Sequence, residues 1–125
     1  ILRERKFGGN KDMLDKIQLL GADLDDAMRR FQGNEALYKR LLLKFPGQAA
    51  NLNAEVYFEK ENYDKALENV HTMKGLAANL SLSNLYDAYS EVVDLLRSGK
   101  YTEAEGKYLA ILPIEEEYNK AILGE

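Results

Sequence analysis

The sequence has no cysteine and a single histidine. Without cysteine the chain can form neither a disulfide nor a thiolate metal site, and one histidine cannot complete a zinc site of histidine and cysteine ligands within one chain. A run of about 18 apolar residues is also absent, so the sequence predicts no membrane-spanning helix. The net charge of −4 argues against a general nucleic-acid-binding protein.

The remaining composition fits one helical domain. Of the 125 residues, 46% are apolar and 30% charged, a balance that allows a single buried core. The chain starts without a methionine, and its charged "RERK" and flexible "GGN" are typical of a solvated linker. We therefore expect residues 1–12 to be a linker or the tail of a preceding region, and residues 13–125 to be the helical domain.

Apolar residues recur with a helical period from Asp12 onward, and no strand pattern competes. One or two short helices are predicted first, ending at Gly21 and Gly33. The next helix begins at Asn34, and Pro46-Gly47 should kink or break it because proline lacks an N–H and clashes with the preceding turn. Three further helices are predicted from Tyr63 to about Leu80, from Ser83 to Gly99, and from Tyr101 to Ile122 with a bend at Pro113. The expected fold is all-α, an antiparallel four-helix bundle with one or two short N-terminal helices.

The helix that carries His71 has an unusual face. Gly75 lies in its interior, where glycine costs about 1 kcal/mol relative to alanine. Lys74, Gly75 and Ala78 share the face of His71, because residues three, four and seven positions apart align on a helix. We expect the imidazole to be exposed beside backbone that another molecule can approach closely, with a cation one turn away for an anion carried by the ring.

A plainer interpretation fits the same triplet equally well: an exposed histidine beside a chance lysine and glycine. The sequence shows no Ser-His-Asp order, no phosphate-binding glycine loop and no other nucleotide motif. The carboxylates of Asp25-Asp26 and of the glutamates at 115–117 are interpreted as helix-start and solvated-face charges. The residues alone therefore leave the role of His71 open.

The wider pattern resembles the histidine-containing phosphotransfer (HPt) domain family. "HTMKGLAANL", residues 71–80, is similar to the motif of that family. The motif has histidine, any residue, an aliphatic residue, lysine, glycine, any residue and a small residue, with a hydrophobic residue further on. Upstream, "LGADLDDAMRRFQGNEALYKRLLLKF" resembles the opening helices of bacterial members, and "LLRSGKYTEAEGKYL" resembles their closing hairpin. The resemblance covers about residues 21–123.

The resemblance implies a phosphoryl carrier in a multistep phosphorelay. His71 would be the phospho-acceptor, Lys74 the cation that stabilises the phosphate charge, and Gly75 the small residue that gives a receiver domain access. The receiver would dock on the short helix of Leu24 and Met28 and on the exposed side of the histidine helix, including Ala78. Leu24 and Met28 fit equally well as ordinary core residues, and this alternative stays open.

The resemblance also implies where the chain acts and what accompanies it. The receiver is expected to bring Mg²⁺, so no metal or cofactor is expected in this chain, and no ATP site of its own. A cytoplasmic location without membrane contact is implied, as part of a hybrid sensor histidine kinase whose kinase domain is a second expected partner.

Two positions depart from the family pattern. Ser81 stands where the family usually has glycine, at the turn after the histidine helix, and serine pays more for a left-handed conformation. Val93 stands where several members have a glutamine that hydrogen-bonds the imidazole. The ring would then be oriented by Ser90, Glu91, water or nothing.

Two other classes of protein domain remain as alternatives. The first is the histidine-bearing first domain of a chemotaxis-type kinase, which shares the fold and is phosphorylated by a kinase domain. The second is a helical-repeat interaction module, since the segments at Tyr63 and Tyr101 resemble tetratricopeptide helix starts. Those tyrosines are 38 residues apart, however, against a repeat of about 34.

Overall fold

The computed structural model describes residues 12–125, which form eight α-helices. They are α1 (Met13–Leu20), α2 (Leu24–Arg30), α3 (Glu35–Leu42), α4 (Phe45–Asn51), α5 (Glu55–Glu59), α6 (Tyr63–Asn79), α7 (Ser83–Arg97) and α8 (Tyr101–Leu123). No strand occurs within this range, which confirms the all-α prediction. Of the predicted linker, residues 1–11 lie outside the described part of the chain. Asp12 belongs to the domain, because its side chain caps α1 by accepting a hydrogen bond from the Asp15 N–H.

The three long helices follow one another at the C-terminal end and pack in sequence. α6 packs against α7, and α7 against α8. Each connection is three residues long, at 80–82 and 98–100, so neighbouring helices run antiparallel. The first helix, α1, packs against the last helix, α8. No helix of residues 12–125 has the length and apolarity needed to cross a membrane.

The predicted helix after Asn34 is instead three short helices, α3, α4 and α5. The break before α4 lies at residues 43–44, and Pro46 follows in the first turn of the new helix, where its missing N–H is tolerated. The break before α5 lies at Asn53, whose side chain accepts a hydrogen bond from the Glu55 N–H. Residues 12–125 therefore contain three long helices, α6, α7 and α8, and the segment expected as one more helix is broken into three. Pro113 lies inside α8, which continues through it from Tyr101 to Leu123.

The helix starts and ends follow local chemistry that the sequence shows. Asn34 and Asn62 cap α3 and α6 by accepting hydrogen bonds from backbone N–H groups three residues on. Gly21, Gly33 and Gly99 follow helices with positive φ angles of 125°, 78° and 74°, a backbone conformation that glycine adopts at little cost.

Four tyrosines are the largest side chains of the core, and each hydroxyl has a partner that joins separate elements. Tyr38 donates to the Leu80 carbonyl, Tyr89 to Glu115, and Tyr118 to the Asn84 side chain, while Tyr108 accepts from the Ala54 N–H. A buried hydroxyl without a partner destabilises the folded state by about 1–3 kcal/mol, and these four hydrogen bonds avoid that cost. They also fix α3 to the end of α6 and α8 to α7.

Candidate functional site

The candidate site lies on the face of α6 that points away from the core. Ala66, Val70, Met73 and Ala77 form the buried face of this helix. On the other side His71 and Gly75 are exposed, and Lys74 and Ala78 are half-buried. The helical spacing thus places the four predicted residues together on one accessible face.

The His71 imidazole makes no hydrogen bond or ion pair with any residue between 12 and 125. The predicted orienting residues have other partners: the Ser90 hydroxyl donates to the Tyr86 carbonyl at 2.7 Å, and Glu91 pairs with Lys107 at 3.6 Å. Val93 is fully buried. Within the described chain the imidazole therefore has both nitrogens available to an incoming group.

Lys74 extends from α6 toward α7. Its ammonium lies 5.9 Å from the centre of the Tyr86 ring, within the range of a cation–π interaction. Tyr86 is in the first turn of α7 and is 37% exposed. Tyr86 was not predicted as a site residue, because helical periodicity does not show which residue of the next helix lies opposite a given side chain.

Gly75 has open space around it. A Cβ atom built on this residue meets no atom outside the local helix within 4 Å. No close helix packing therefore accounts for glycine here. The glycine leaves a gap on the surface immediately after the turn that carries His71.

Beyond Ala78 the face opens into a groove of about 340 Å³ between α2, the end of α6 and the start of α7. Charged residues of α2 and α7 line both sides, and none of them was predicted as a site residue. The groove is lined by Asp26, Arg30, Ala77, Ala78, Ser81, Ser83, Tyr86 and Asp87.

The predicted docking residues of α2 differ in accessibility. Leu24 is 1% exposed and belongs to the hydrophobic core, as the alternative interpretation expected, so its side chain is not on the accessible surface. It is the first residue of α2, directly after the Asp23 cap, and that position turns it inward. Met28 is half-buried and packs against the core from the outside, which leaves part of it accessible.

Ser81 adopts the left-handed conformation that its position in the turn requires, with φ at 56°. Its hydroxyl donates to Asp26 at 2.7 Å, and its carbonyl accepts from the Asp23 N–H at 2.9 Å. Arg30 donates to the same Asp26 oxygen at 2.8 Å. The Arg30 hydrogen bond, followed by that of Ser81, lowers the pKa of Asp26 below its ordinary value. These bonds offset the cost of serine at a position that favours glycine.

The two predicted groups of surface carboxylates have different environments. Asp25 and Asp26 lie in the first turn of α2, as expected for helix-start charges. Glu115 is 7% exposed and accepts a hydrogen bond from Tyr89 at 2.6 Å, so its interpretation as a solvated charge is wrong. Burial raises the pKa of Glu115. In the described part of the chain no three histidine, cysteine or acidic side chains are grouped so that they could hold a metal ion.

Comparison of the chain with protein-family models, curated proteins and solved structures finds no match. The functional interpretation therefore depends on the residues and their geometry. The exposed imidazole, the nearby ammonium and the gap at Gly75 are the features that it must explain.

Proposed function

We propose that this protein is an HPt-like phosphoryl carrier of a two-component phosphorelay. His71 accepts a phosphoryl group from the aspartyl phosphate of a receiver domain and passes it on or back. The observation that carries the proposal is an exposed histidine without a partner among the described residues, followed at the third and fourth positions by a cation and by an unpacked glycine. A nucleophile that must meet another protein needs this accessibility.

The packing supports a bundle of four. α5 packs on α6 and α4 packs on α8, which supports the proposal that the broken segment α3–α5 serves as the fourth member beside the three long helices. In this bundle the histidine lies in the middle of α6, on the surface of a rigid helix. Rigid placement matters because an error of about 1 Å in the reacting geometry can cost on the order of a hundredfold in rate.

The transfer step uses the imidazole as nucleophile. A lone pair on a ring nitrogen of neutral His71 attacks phosphorus and forms an N–P bond. The bond between phosphorus and the receiver's carboxylate oxygen breaks in line, and its electron pair leaves with that oxygen. The proton on the other ring nitrogen passes to solvent or remains on the phosphoimidazole. The reverse sequence returns the group to an aspartate.

Lys74 supplies positive charge near the phosphoryl oxygens, three residues after His71 on the same face. The receiver is proposed to bring the carboxylates and the Mg²⁺. The sequence has no nucleotide-binding motif, so the phosphoryl group comes from a protein partner and not from ATP bound to this chain. From the resemblance of residues 21–123 to the HPt family we further propose that the chain is part of a cytoplasmic hybrid sensor kinase.

The proposal is tested with phosphorylated receivers. Incubation of the protein with a panel of receiver domains phosphorylated by acetyl phosphate should give, with at least one of them, an acid-labile and base-stable adduct. The adduct should be absent from His71→Gln, whose fold is checked by circular dichroism. Label on an aspartate, equal labelling of His71→Gln, or labelling by no receiver of the panel would overturn the carrier function.

A further inference from the structure

Lys74 needs a restraint if its charge is to act at a fixed place. A lysine side chain has a flexible four-carbon stem and loses rotamer entropy when its ammonium is fixed in one place. No carboxylate forms an ion pair with Lys74 among residues 12–125. The described contact of its ammonium is with the Tyr86 ring, at 5.9 Å.

The backbone of Tyr86 is fixed at the start of α7. Its N–H donates to the Leu82 carbonyl at 2.9 Å, and its own carbonyl accepts from the Ser90 hydroxyl at 2.7 Å. The ring is 37% exposed and lines the groove that begins at Ala78. The Tyr86 ring thus lies within cation–π range of the Lys74 ammonium and at the edge of the groove.

We propose that Tyr86 is a positioning residue for Lys74: its ring holds the ammonium on the groove side of the His71 face, where the phosphoryl oxygens arrive and leave. This inference rests on the proposed function of His71. Tyr86 touches neither the phosphoryl group nor the imidazole in this role. It acts through Lys74 alone.

The chemistry of the contact determines which substitutions matter. A cation–π interaction uses the face of the ring and not the hydroxyl, so Tyr86→Phe should retain the restraint and Tyr86→Leu should remove it. At a partly exposed site the interaction corresponds to about a two- to fivefold effect on an equilibrium or rate. Tyr86→Leu should therefore slow phosphoryl transfer to His71 by about that factor, with Tyr86→Phe close to wild type.

A double-mutant cycle separates positioning from general packing. The variants are Tyr86→Leu, Lys74→Ala and the pair together, compared with wild type and Tyr86→Phe for the rate of transfer from a phosphorylated receiver. We expect Tyr86→Leu to have no further effect once Lys74 is alanine. Additive effects of the two changes, or a Tyr86→Leu rate equal to wild type, overturn the inference. If Tyr86→Leu lowers the helix content, Tyr86→Gln replaces it in the cycle.

A second measurement does not depend on phosphoryl transfer. In proton NMR spectra of the unphosphorylated protein, the ring current of Tyr86 should shift the Lys74 ε-methylene protons upfield. The shift should persist in Tyr86→Phe and disappear in Tyr86→Leu. If neither wild type nor any variant transfers phosphate but the ring-current shift is present, the carrier function is contradicted. The contact between Lys74 and Tyr86 then still holds. A Lys74 signal at the random-coil position in wild type contradicts the positioning role itself.

Discussion

The Ser81 hydroxyl donates a 2.7 Å hydrogen bond to the Asp26 carboxylate across 55 residues of sequence. The bond joins the turn after α6 to the first turn of α2, beside the groove. Ser81 is buried and left-handed, with φ at 56°. The end of the histidine-bearing helix is thus fixed to α2 by a side chain in a conformation that most residues avoid.

This arrangement predicts an unequal effect of two small substitutions at Ser81. Ser81→Ala loses the hydrogen bond and keeps the backbone strain, so it should lower the free energy of unfolding by about 1–2 kcal/mol. Ser81→Gly also loses the bond but relieves a strain of about 1–2 kcal/mol, and it should be nearly neutral. Urea unfolding of both variants measures the difference. Equal destabilisation would show that the left-handed backbone carries no cost here.

The Asp26 carboxylate should make stability depend on acid pH. Its pKa is lowered in the folded protein, first by the Arg30 hydrogen bond and then by that of Ser81. The stabilisation is therefore present above the unfolded value, near 3.8, and is lost as the pH falls through the lower folded value. The stability advantage of wild type over Asp26→Asn should shrink between pH 5 and pH 2. Exposed Asp25→Asn is the control, and an Asp26→Asn difference that stays constant over this range contradicts the prediction.

Glu115 should show the opposite sign. Burial raises its pKa, so the folded protein binds this proton more readily than the unfolded chain, and stability falls as the pH rises above the ordinary value of 4.5. Glu115→Gln removes the buried charge and keeps an oxygen that can accept from Tyr89. It should raise the melting temperature at pH 7, and the gain should vanish near pH 4.5.

The exposed Glu117→Gln provides a matched control for that measurement, since it removes the same charge two residues away. It should change the melting temperature little at either pH. A Glu115→Gln variant that is less stable than wild type at pH 7, or equally shifted at both pH values, would mean that the carboxylate is better stabilised than its burial implies.

Glu115 also shows what the sequence could have revealed. Ile111, Tyr118 and Ile122 are buried on α8, and position 115 continues their spacing of three and four residues. The periodicity therefore placed Glu115 on the core face, although its charge and its acidic neighbours suggested solvent. Its hydrogen-bond partner, Tyr89, lies on another helix, and the periodic pattern of one helix does not predict which residue of another helix it contacts.

The segment after Asn34 was predictable in type but not in detail. Periodicity and Pro46 together predicted helix with a break, and the structure has one there. The second break, at Asn53, depends on a side-chain hydrogen bond to Glu55 and on the Tyr108 hydroxyl that the Ala54 N–H meets in the core. The face of His71 was predictable from helical spacing, whereas Tyr86 and the groove depend on how α6, α7 and α2 pack.

Substitution of Leu24 tests whether this residue belongs to the core or to a docking surface. Because its side chain is 1% exposed, Leu24→Ala should lower the free energy of unfolding by about 2–5 kcal/mol, as for other buried leucines. Leu19→Ala, at a position 70% exposed, should change it by less than about 0.5 kcal/mol. Similar small effects of both substitutions, measured by urea unfolding, would place Leu24 on the surface.

Gly75 separates the requirements of folding from those of transfer. A Cβ at this position meets open space, so Gly75→Ala should raise the free energy of unfolding by about 0.5–1 kcal/mol. Gly75→Gln should keep much of that gain, because the side chain can extend into solvent. In a phosphoryl carrier the same side chain fills the space beside His71 that the receiver needs. We expect Gly75→Gln to slow transfer by up to about a hundredfold while it raises the melting temperature.

Gly106 is the matched control for this pair of effects. It is also an exposed glycine inside a helix, α8, with open space around it, and it does not line the groove. Gly106→Gln should raise stability by a similar amount and leave the transfer rate unchanged. The contrast isolates access at His71 from helix propensity, since propensity acts equally at both positions. Wild-type transfer rates in Gly75→Gln, or an equal loss of rate in Gly106→Gln, would show that Gly75 is not required for the approach of a partner.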